Sequence, residues 1–297
     1  MTVLEFRYEL IALSSFIICV HLICLMSLIH VYRRRNGYRI QQLHLLNLSV
    51  IELLKNTYYL ITNIVFALMG LTPTFIVVLM LLSPCIFFLN VSAMLLLTAD
   101  RLSACLLHIR YQSFCTVSRA KAAIIFIWVF SLLLIPMVIT LLYAVYGYEI
   151  MKKAVDHWYW IILPGYCILF FLFAVVAYIL MFLSFSKSRR RSTVSNQSFL
   201  YMFTHSKFYM AVLLVGTFLL LAAVPRLIRT EMFFTKSWNT TLADALIIVC
   251  NLSDIADGLI YILLYAPIRS LLWRFIFRPT TQARQGTASN ESVDTCL

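Results

Sequence analysis

The stretch LLLTADRLSACLLHIRY, Leu95–Tyr111, decides how the rest of the chain is interpreted. It is a long apolar run that ends in an adjacent acid and base, Asp100 and Arg101, and continues into a basic loop. A charged side chain at the centre of a bilayer is costly, so this pair must lie at or near a water interface. The pattern predicts a membrane-spanning helix that carries a functional ion pair at one end. An ordinary interfacial basic residue is the simpler alternative.

The composition predicts an integral membrane protein. The 297 residues are 62% hydrophobic and only 12% charged, with a mean hydropathy of +0.91. Soluble domains contain about 25% charged residues. The net charge of +12 does not indicate nucleic-acid binding, because the basic residues are spread over short loops between apolar segments.

Seven apolar segments follow one another, and each reaches the ~20 residues that a helix needs to cross ~30 Å of hydrocarbon. The predicted fold class is therefore an all-α membrane protein, a seven-transmembrane helix bundle that occupies residues 10–267. The segments lie at about 10–32, 43–68, 73–104, 121–147, 157–186, 206–230 and 241–266.

The distribution of Lys and Arg predicts the orientation, because basic residues concentrate in cytoplasmic loops. They cluster in the linkers after the first, third and fifth segments and in the tail. Residues 1–9 are therefore expected to form a short extracellular N-terminus of a multi-pass plasma-membrane protein. The clusters are Arg33–Arg35 with Arg39; Arg101, Arg110, Arg119 and Lys121; Lys187, Arg189–Arg191 and Lys207; and Arg269, Arg274, Arg278 and Arg284.

The C-terminal part divides into two pieces. Residues 268–278 place apolar side chains at helical spacing beside basic ones, which predicts a short amphipathic cytoplasmic helix on the membrane surface after the seventh span. Residues 279–297 are polar and are expected to form a disordered cytoplasmic tail. Its last residues, Thr295-Cys296-Leu297, fit a peptide that binds a PDZ domain.

These features together resemble a rhodopsin-like (class A) G-protein-coupled receptor over roughly residues 10–278. LNLSVIELL in the second segment is similar to the family's LNLAVADLL, with Glu52 at its buried aspartate. TADRL is similar to the DRY motif, and NLSDIADGLIY resembles the NPxxY region. The landmark residues of the fourth, fifth and sixth helices are matched by Trp128, Tyr178 and Pro225.

Several departures identify a divergent member. Leu102 replaces the tyrosine of DRY, Gly258 stands in place of the proline of the seventh helix, and Ala223 replaces the tryptophan of the sixth. His205 stands where some members carry an acid that ties the sixth helix to the Arg. The family's extracellular disulfide has no cysteine pair here. The lost restraints predict appreciable signalling without ligand.

The resemblance assigns roles to individual residues. It implies a ligand cavity for an unknown small ligand, or for none, lined by Ser83, Phe87, Ala223, Arg226 and Asn251. Arg226 either points into this cavity or reaches outward, where Glu231 and Asp244 are candidate partners. Coupling to a heterotrimeric G protein is implied at Asp100, Arg101, Ile109, Tyr178 and Tyr261.

A second group of polar residues lies within the predicted spans, and the resemblance implies an internal cation or proton site for it. Its members are Glu52, Asn90, Asp254 and Asp257. Three carboxylates this close cannot all stay ionised without a cation. An internal Na+, a proton, a structural hydrogen-bond network, and an i,i+3 ion pair between Glu52 and Lys55 are the alternatives.

The sequence favours a receptor that signals to heterotrimeric G proteins, and we expect no enzymatic activity, metal site or other cofactor. Nucleophile, metal and phosphate-binding motifs are not apparent. The alternatives are an ion- or proton-coupled transporter, since buried charges also serve ion pathways, and a non-signalling seven-helix partner of another receptor. Asn239, in the sequon NTT, is the predicted glycosylation site.

Overall fold

The described residues of the computed structural model are almost all helical. They comprise 3–34, 40–69, 73–107, 110–147, 149, 153, 161–191, 210–235, 239–265, 268–269 and 273. The helices are α1 (Val3–Arg34), α2 (Ile40–Met69), α3 (Pro73–Leu107), the short α4 (Tyr111–Phe114), α5 (Val117–Val129), α6 (Ile135–Tyr146), α7 (Leu163–Arg191), α8 (Val224–Phe234) and α9 (Thr240–Leu264).

Six helical segments among the described residues are long and apolar enough to cross a membrane, which indicates a multi-pass helical membrane protein. They are Arg7–Val31, Leu82–Leu107, Val117–Tyr146, Pro164–Ser184, Met210–Met232 and Thr240–Leu264. The sequence predicted seven. The remaining segment is α2, whose 30 residues are long enough but carry Glu52, Lys55 and several amides, so that its composition is less apolar.

Prolines shape two of these segments. A π-helical stretch, Phe130–Leu134, joins α5 to α6 just before Pro136. A second one, Phe218–Ala223, joins the helical residues 210–217 to α8 just before Pro225. Proline has no N–H to donate, and its ring clashes with the carbonyl four residues earlier, so the preceding turn widens. Each apolar segment therefore continues through its proline as one helix.

The helices pack as a bundle around α3, which contacts α2, α5, α6 and α7. On one side α1 packs between α2 and α9, and α9 also contacts the π-helical stretch before α8. The helix that carries Asp100 and Arg101 is thus central among the described helices. Its end with Asp100 and Arg101 lies beside α4.

The distribution of polarity is the reverse of that in a soluble protein. Large apolar side chains such as Phe126, Leu169 and Leu220 are 66–69% exposed. Charged residues such as Glu52, Lys55 and Asp254 are at most 5% exposed. Soluble proteins almost never bury such residues unless they are paired. Hydrocarbon around the bundle accounts for both observations.

Several sequence predictions concern residues outside the described part of the chain. These are the polar tail 279–297 with its PDZ-type terminus, most of the amphipathic helix 268–278, Ile109 and His205. Residues 1–9 are partly described, and α1 begins at Val3, so most of this predicted N-terminal segment is helical.

Candidate functional site

Three charged residues meet in the interior of the bundle, between α2 and α9. The ammonium Nζ of Lys55 lies 2.5 Å from Glu52 Oε2 and 2.6 Å from Asp254 Oδ1. The contact with Asp254 has hydrogen-bond geometry, and the contact with Glu52 is an ion pair between residues three apart on one helix. Buried charges are tolerated when they are paired, and here each has an opposite partner.

Two asparagines bind the remaining carboxylate oxygens of this triad. Asn90 Nδ2, from α3, donates to Glu52 Oε1 at 2.9 Å. Asn56 Nδ2 donates to Asp254 Oδ2 at 3.1 Å and to the Glu52 carbonyl at 2.9 Å. All four oxygens of the two carboxylates therefore have a partner within the protein. We call Glu52, Lys55, Asn56, Asn90 and Asp254 the polar core.

Asp257 lies one turn further along α9 and has different partners. Thr217 Oγ1 donates to its Oδ1 at 2.9 Å. Within the part of the chain that the structure describes, Asp257 Oδ2 and the Tyr261 hydroxyl make no hydrogen bond. Buried polar atoms of this kind are commonly bound by water. The sequence grouped Asp254 and Asp257 in one site, whereas in the structure only Asp254 contacts Lys55.

Close packing of α1 against α9 fixes the position of these acids. His21 Nε2 lies 3.0 Å from the carbonyl oxygen of Asp254, and Cys24 Sγ donates to the carbonyl of Gly258 at 3.6 Å. A Cβ added to Gly258 would lie 2.5 Å from Val20 Cγ1. A glycine at this position thus permits the two helices to approach.

The polar core does not fit a sodium ion. A hard cation needs several oxygen ligands at once. The ammonium of Lys55 stands between Glu52 and Asp254, and the amide groups of Asn56 and Asn90 bind the outer oxygens of both carboxylates. Of the alternatives raised by the sequence, the geometry contains the i,i+3 ion pair and a hydrogen-bond network around it.

The end of α3 carries a second polar cluster. Arg101 Nε donates to Asp100 Oδ2 at 3.0 Å, and Nη2 contacts the same oxygen. The hydroxyl of Tyr111, from α4, donates to Asp100 Oδ1. Burial and this hydrogen bond raise the pKa of Tyr111, so its hydroxyl keeps its proton. Asp100 thus accepts from both Arg101 and Tyr111.

Two other residues predicted to couple to a G protein, Tyr178 and Tyr261, lie within the described part of the chain. The Tyr178 hydroxyl donates to the Ala211 carbonyl at 3.0 Å, which links α7 to the helical residues 210–217. Tyr261 is fully buried near Asp257, in the last turn of α9. Asp100 and Arg101 form an ion pair, and Tyr178 lies close enough to Arg101 for an electrostatic interaction.

The predicted ligand cavity is brought together in part. The Arg226 guanidinium lies 3.7 Å from the centroid of the Phe87 ring, so this side chain is directed towards α3 and the bundle interior. Ala223 is buried in the π-helical stretch, and Ser83 is half-buried. Asn251 donates to the carbonyl of Ile247 in its own helix. Arg226 and Phe87 are the pair that the structure places in contact.

The predicted glycosylation residue has a structural role as well. Asn239 is exposed and precedes α9, and its Oδ1 accepts a hydrogen bond from the backbone N–H of Leu242 at 3.1 Å. This is the geometry of an N-cap, a position that favours asparagine. A glycan on Nδ2 is compatible with the cap because the cap uses only Oδ1.

Sequence reasoning missed several contact residues. Asn56 is one residue after Lys55, and its apolar surroundings were the available signal. Asn47 accepts from Trp128 Nε1 at 2.7 Å and so links α2 to α5. Thr217 and Tyr111 gave no local signal, because hydroxyl residues are common in loops and spans. Only the packing of one helix against another identifies their partners.

Comparison with known proteins adds no assignment. The chain matches no protein-family model and no curated relative. The resemblance to rhodopsin-like receptors therefore rests on the order of the motifs.

Proposed function

We propose that the chain is a seven-helix receptor of the plasma membrane, a divergent relative of the rhodopsin-like class, which couples to heterotrimeric G proteins. The observation that carries the proposal is the cluster at the end of α3. There Arg101 is bound by Asp100, and Asp100 is bound in turn by Tyr111. In this arrangement the Arg101 guanidinium is bound within the protein at the end of an apolar helix, where a partner could reach it after release from Asp100.

In this proposal α2 is the seventh span. Its 30 residues would extend ~45 Å at 1.5 Å per residue, which exceeds the ~30 Å of hydrocarbon. Its charges face the bundle interior, where Asp254 and Asn90 bind them, so they are not exposed to lipid. The Lys and Arg distribution supports an N-terminus outside and an Arg101 cluster at the cytoplasmic face.

Coupling would use the guanidinium of Arg101. Its side chain is 12% exposed, so only a small part meets solvent while Asp100 binds it. A shift of the neighbouring helices would release the guanidinium, whose five N–H donors suit recognition of a partner's carbonyl or carboxylate groups. Tyr111 would act as a positioning residue because it contacts Asp100 and not Arg101 itself.

The test is nucleotide exchange on G proteins of each class by the receptor in lipid nanodiscs, first without ligand. We expect a measurable basal signal. Arg101→Ala should reduce it ~10–100-fold, because a charge-assisted contact contributes about 1.5–3 kcal/mol. Arg110→Ala is the matched control, since Arg110 is exposed at the same end of the bundle and is predicted to leave the signal unchanged. Equal signals from both variants would refute the role of Arg101.

A proton- or ion-coupled transporter is the second candidate, and the buried triad of Glu52, Lys55 and Asp254 favours it. Such groups within a membrane mark ion pathways as well as receptors. Reconstituted liposomes with an imposed pH gradient separate the two. Proton flux without nucleotide exchange would support the transporter. Absence of both activities would favour the third candidate, a non-signalling partner of another receptor.

A further inference from the structure

We propose that Lys55 is a tethered counter-ion, which permanently fills the position between Glu52 and Asp254 and makes the protein independent of sodium. The inference goes beyond G-protein coupling, since it concerns how the bundle is held together. It predicts a property of the purified protein that is measured without any signalling partner.

The ammonium of Lys55 occupies the position between the two carboxylates that a metal ion would need. Its Nζ contacts one oxygen from α2 and one from α9 at 2.5 and 2.6 Å, and the Lys55 side chain is 6% exposed. Charge-assisted hydrogen bonds are typically about 2.7–2.9 Å long, so both contacts of the nitrogen are short. A metal ion could enter between them only if Lys55 left.

The outer oxygens of both acids are also bound. Asn90 donates to Glu52 and Asn56 donates to Asp254. An incoming cation would have to replace amide donors as well as the ammonium. Because Lys55 is covalently attached to α2, its local concentration is fixed and does not depend on the salt outside.

The tether also connects two helices far apart in the sequence. Lys55 belongs to α2, and Asp254 belongs to α9 at a separation of 199 residues. A dissociable ion at this position would make the connection depend on ionic conditions. A lysine makes it part of the fold.

Other polar groups face the core, and the experiment must separate them from the triad. Asp257 is an acid beside the triad that Lys55 does not contact, and Thr217 donates to it. The titratable groups around the triad and Asp257 come from α1, α2 and α9, and they are His21, Cys24, Glu52, Lys55, Asp254 and Tyr261.

The experiment is thermal unfolding of the purified full-length protein in sodium chloride and in choline chloride at equal ionic strength. We expect the same melting temperature for the wild type in both salts. A sodium site at about 100 times its Kd would raise it by about 5–10 °C. Such a rise in the wild type would overturn the proposal, and its loss in Asp257→Asn would locate the ion at Asp257.

The Lys55→Met variant tests whether removal of the ammonium makes the protein sensitive to sodium. It removes the ammonium and keeps a long unbranched side chain, so two buried carboxylates face each other without a cation. We expect a lower melting temperature that sodium, but not choline, partly restores. Lys121→Met, at an exposed position, is the control and should respond to neither salt.

A Lys55→Met protein as indifferent to sodium as the wild type would contradict the proposal. If the variant does not fold, the wild-type comparison still decides, because a specific sodium effect there is sufficient to refute it. Failure of the G-protein assay would leave these melting temperatures unaffected, so the two proposals fail separately.

Discussion

At the scale of single residues, the two acids of α9 are expected to differ although they lie one turn apart. Asp254 contacts the Lys55 ammonium, whereas Asp257 accepts from the Thr217 hydroxyl. The first interaction requires a charge. The second is equally available to a neutral side chain of the same shape, since Asn also has an oxygen at this position.

We therefore predict that Asp254→Asn lowers the stability of the protein and that Asp257→Asn does not. Loss of a hydrogen bond to a charged group costs about 1–3 kcal/mol, which corresponds to a fall in melting temperature of ~2–10 °C. The two variants are matched in chemistry, helix and burial, so each is the control of the other. Equal destabilisation would mean that Asp257 also pairs with a cation.

At the scale of helices, the contact of α1 with α9 depends on Gly258. A β-carbon there would lie 2.5 Å from Val20 Cγ1 and 3.7 Å from Val20 Cβ. Valine is stiff about its first side-chain bond because it is branched at Cβ. It cannot turn away cheaply, so a larger residue must push the helices apart.

We predict that Gly258→Ala destabilises the bundle by about 1–3 kcal/mol, the usual cost of overpacking. Gly216→Ala is the matched control, since a Cβ on this helical glycine would meet nothing within 4 Å. Alanine is the better helix former, so this control should be neutral or stabilising by about 0.5–1 kcal/mol. Thermal unfolding of both variants measures the difference, and a harmless Gly258→Ala would mean that the two helices are less close.

At the scale of the whole molecule, the number of spans fixes the positions of the termini. The six segments that qualify by length and composition would place both termini on one side of the membrane. Addition of α2 as a seventh would place them on opposite sides. The buried charges of α2 therefore decide a global property of the topology.

We predict opposite sides, with the N-terminus outside the cell. Epitope tags at each end, probed by antibody in intact and permeabilised cells, measure this directly. An N-terminal tag should be accessible in intact cells and a C-terminal tag only after permeabilisation. A glycan lost in Thr241→Ala, which removes the sequon and keeps the Asn239 cap, would independently place the start of α9 outside. Two tags with the same accessibility would exclude seven spans.

The sequence by itself determined the helical, membrane-embedded character of the protein. Apolar runs of about 20 residues can satisfy their backbone groups in hydrocarbon only as helices or closed barrels, and their length favours helices. The spacing of Glu52 and Lys55 likewise followed from the sequence, because residues three apart on a helix are neighbours wherever that helix lies. Local interactions of this kind need no knowledge of the rest of the fold.

Only the tertiary structure decided which acid of α9 completes the site. Asp254 and Asp257 are equivalent in the sequence pattern, as acids three residues apart in one apolar helix. The rotation and depth of α9 against α2 place one of them at Lys55 and the other at Thr217. Close packing at Gly258 against α1 contributes to that placement. Such packing joins residues more than 200 positions apart, and no local pattern in the chain encodes it.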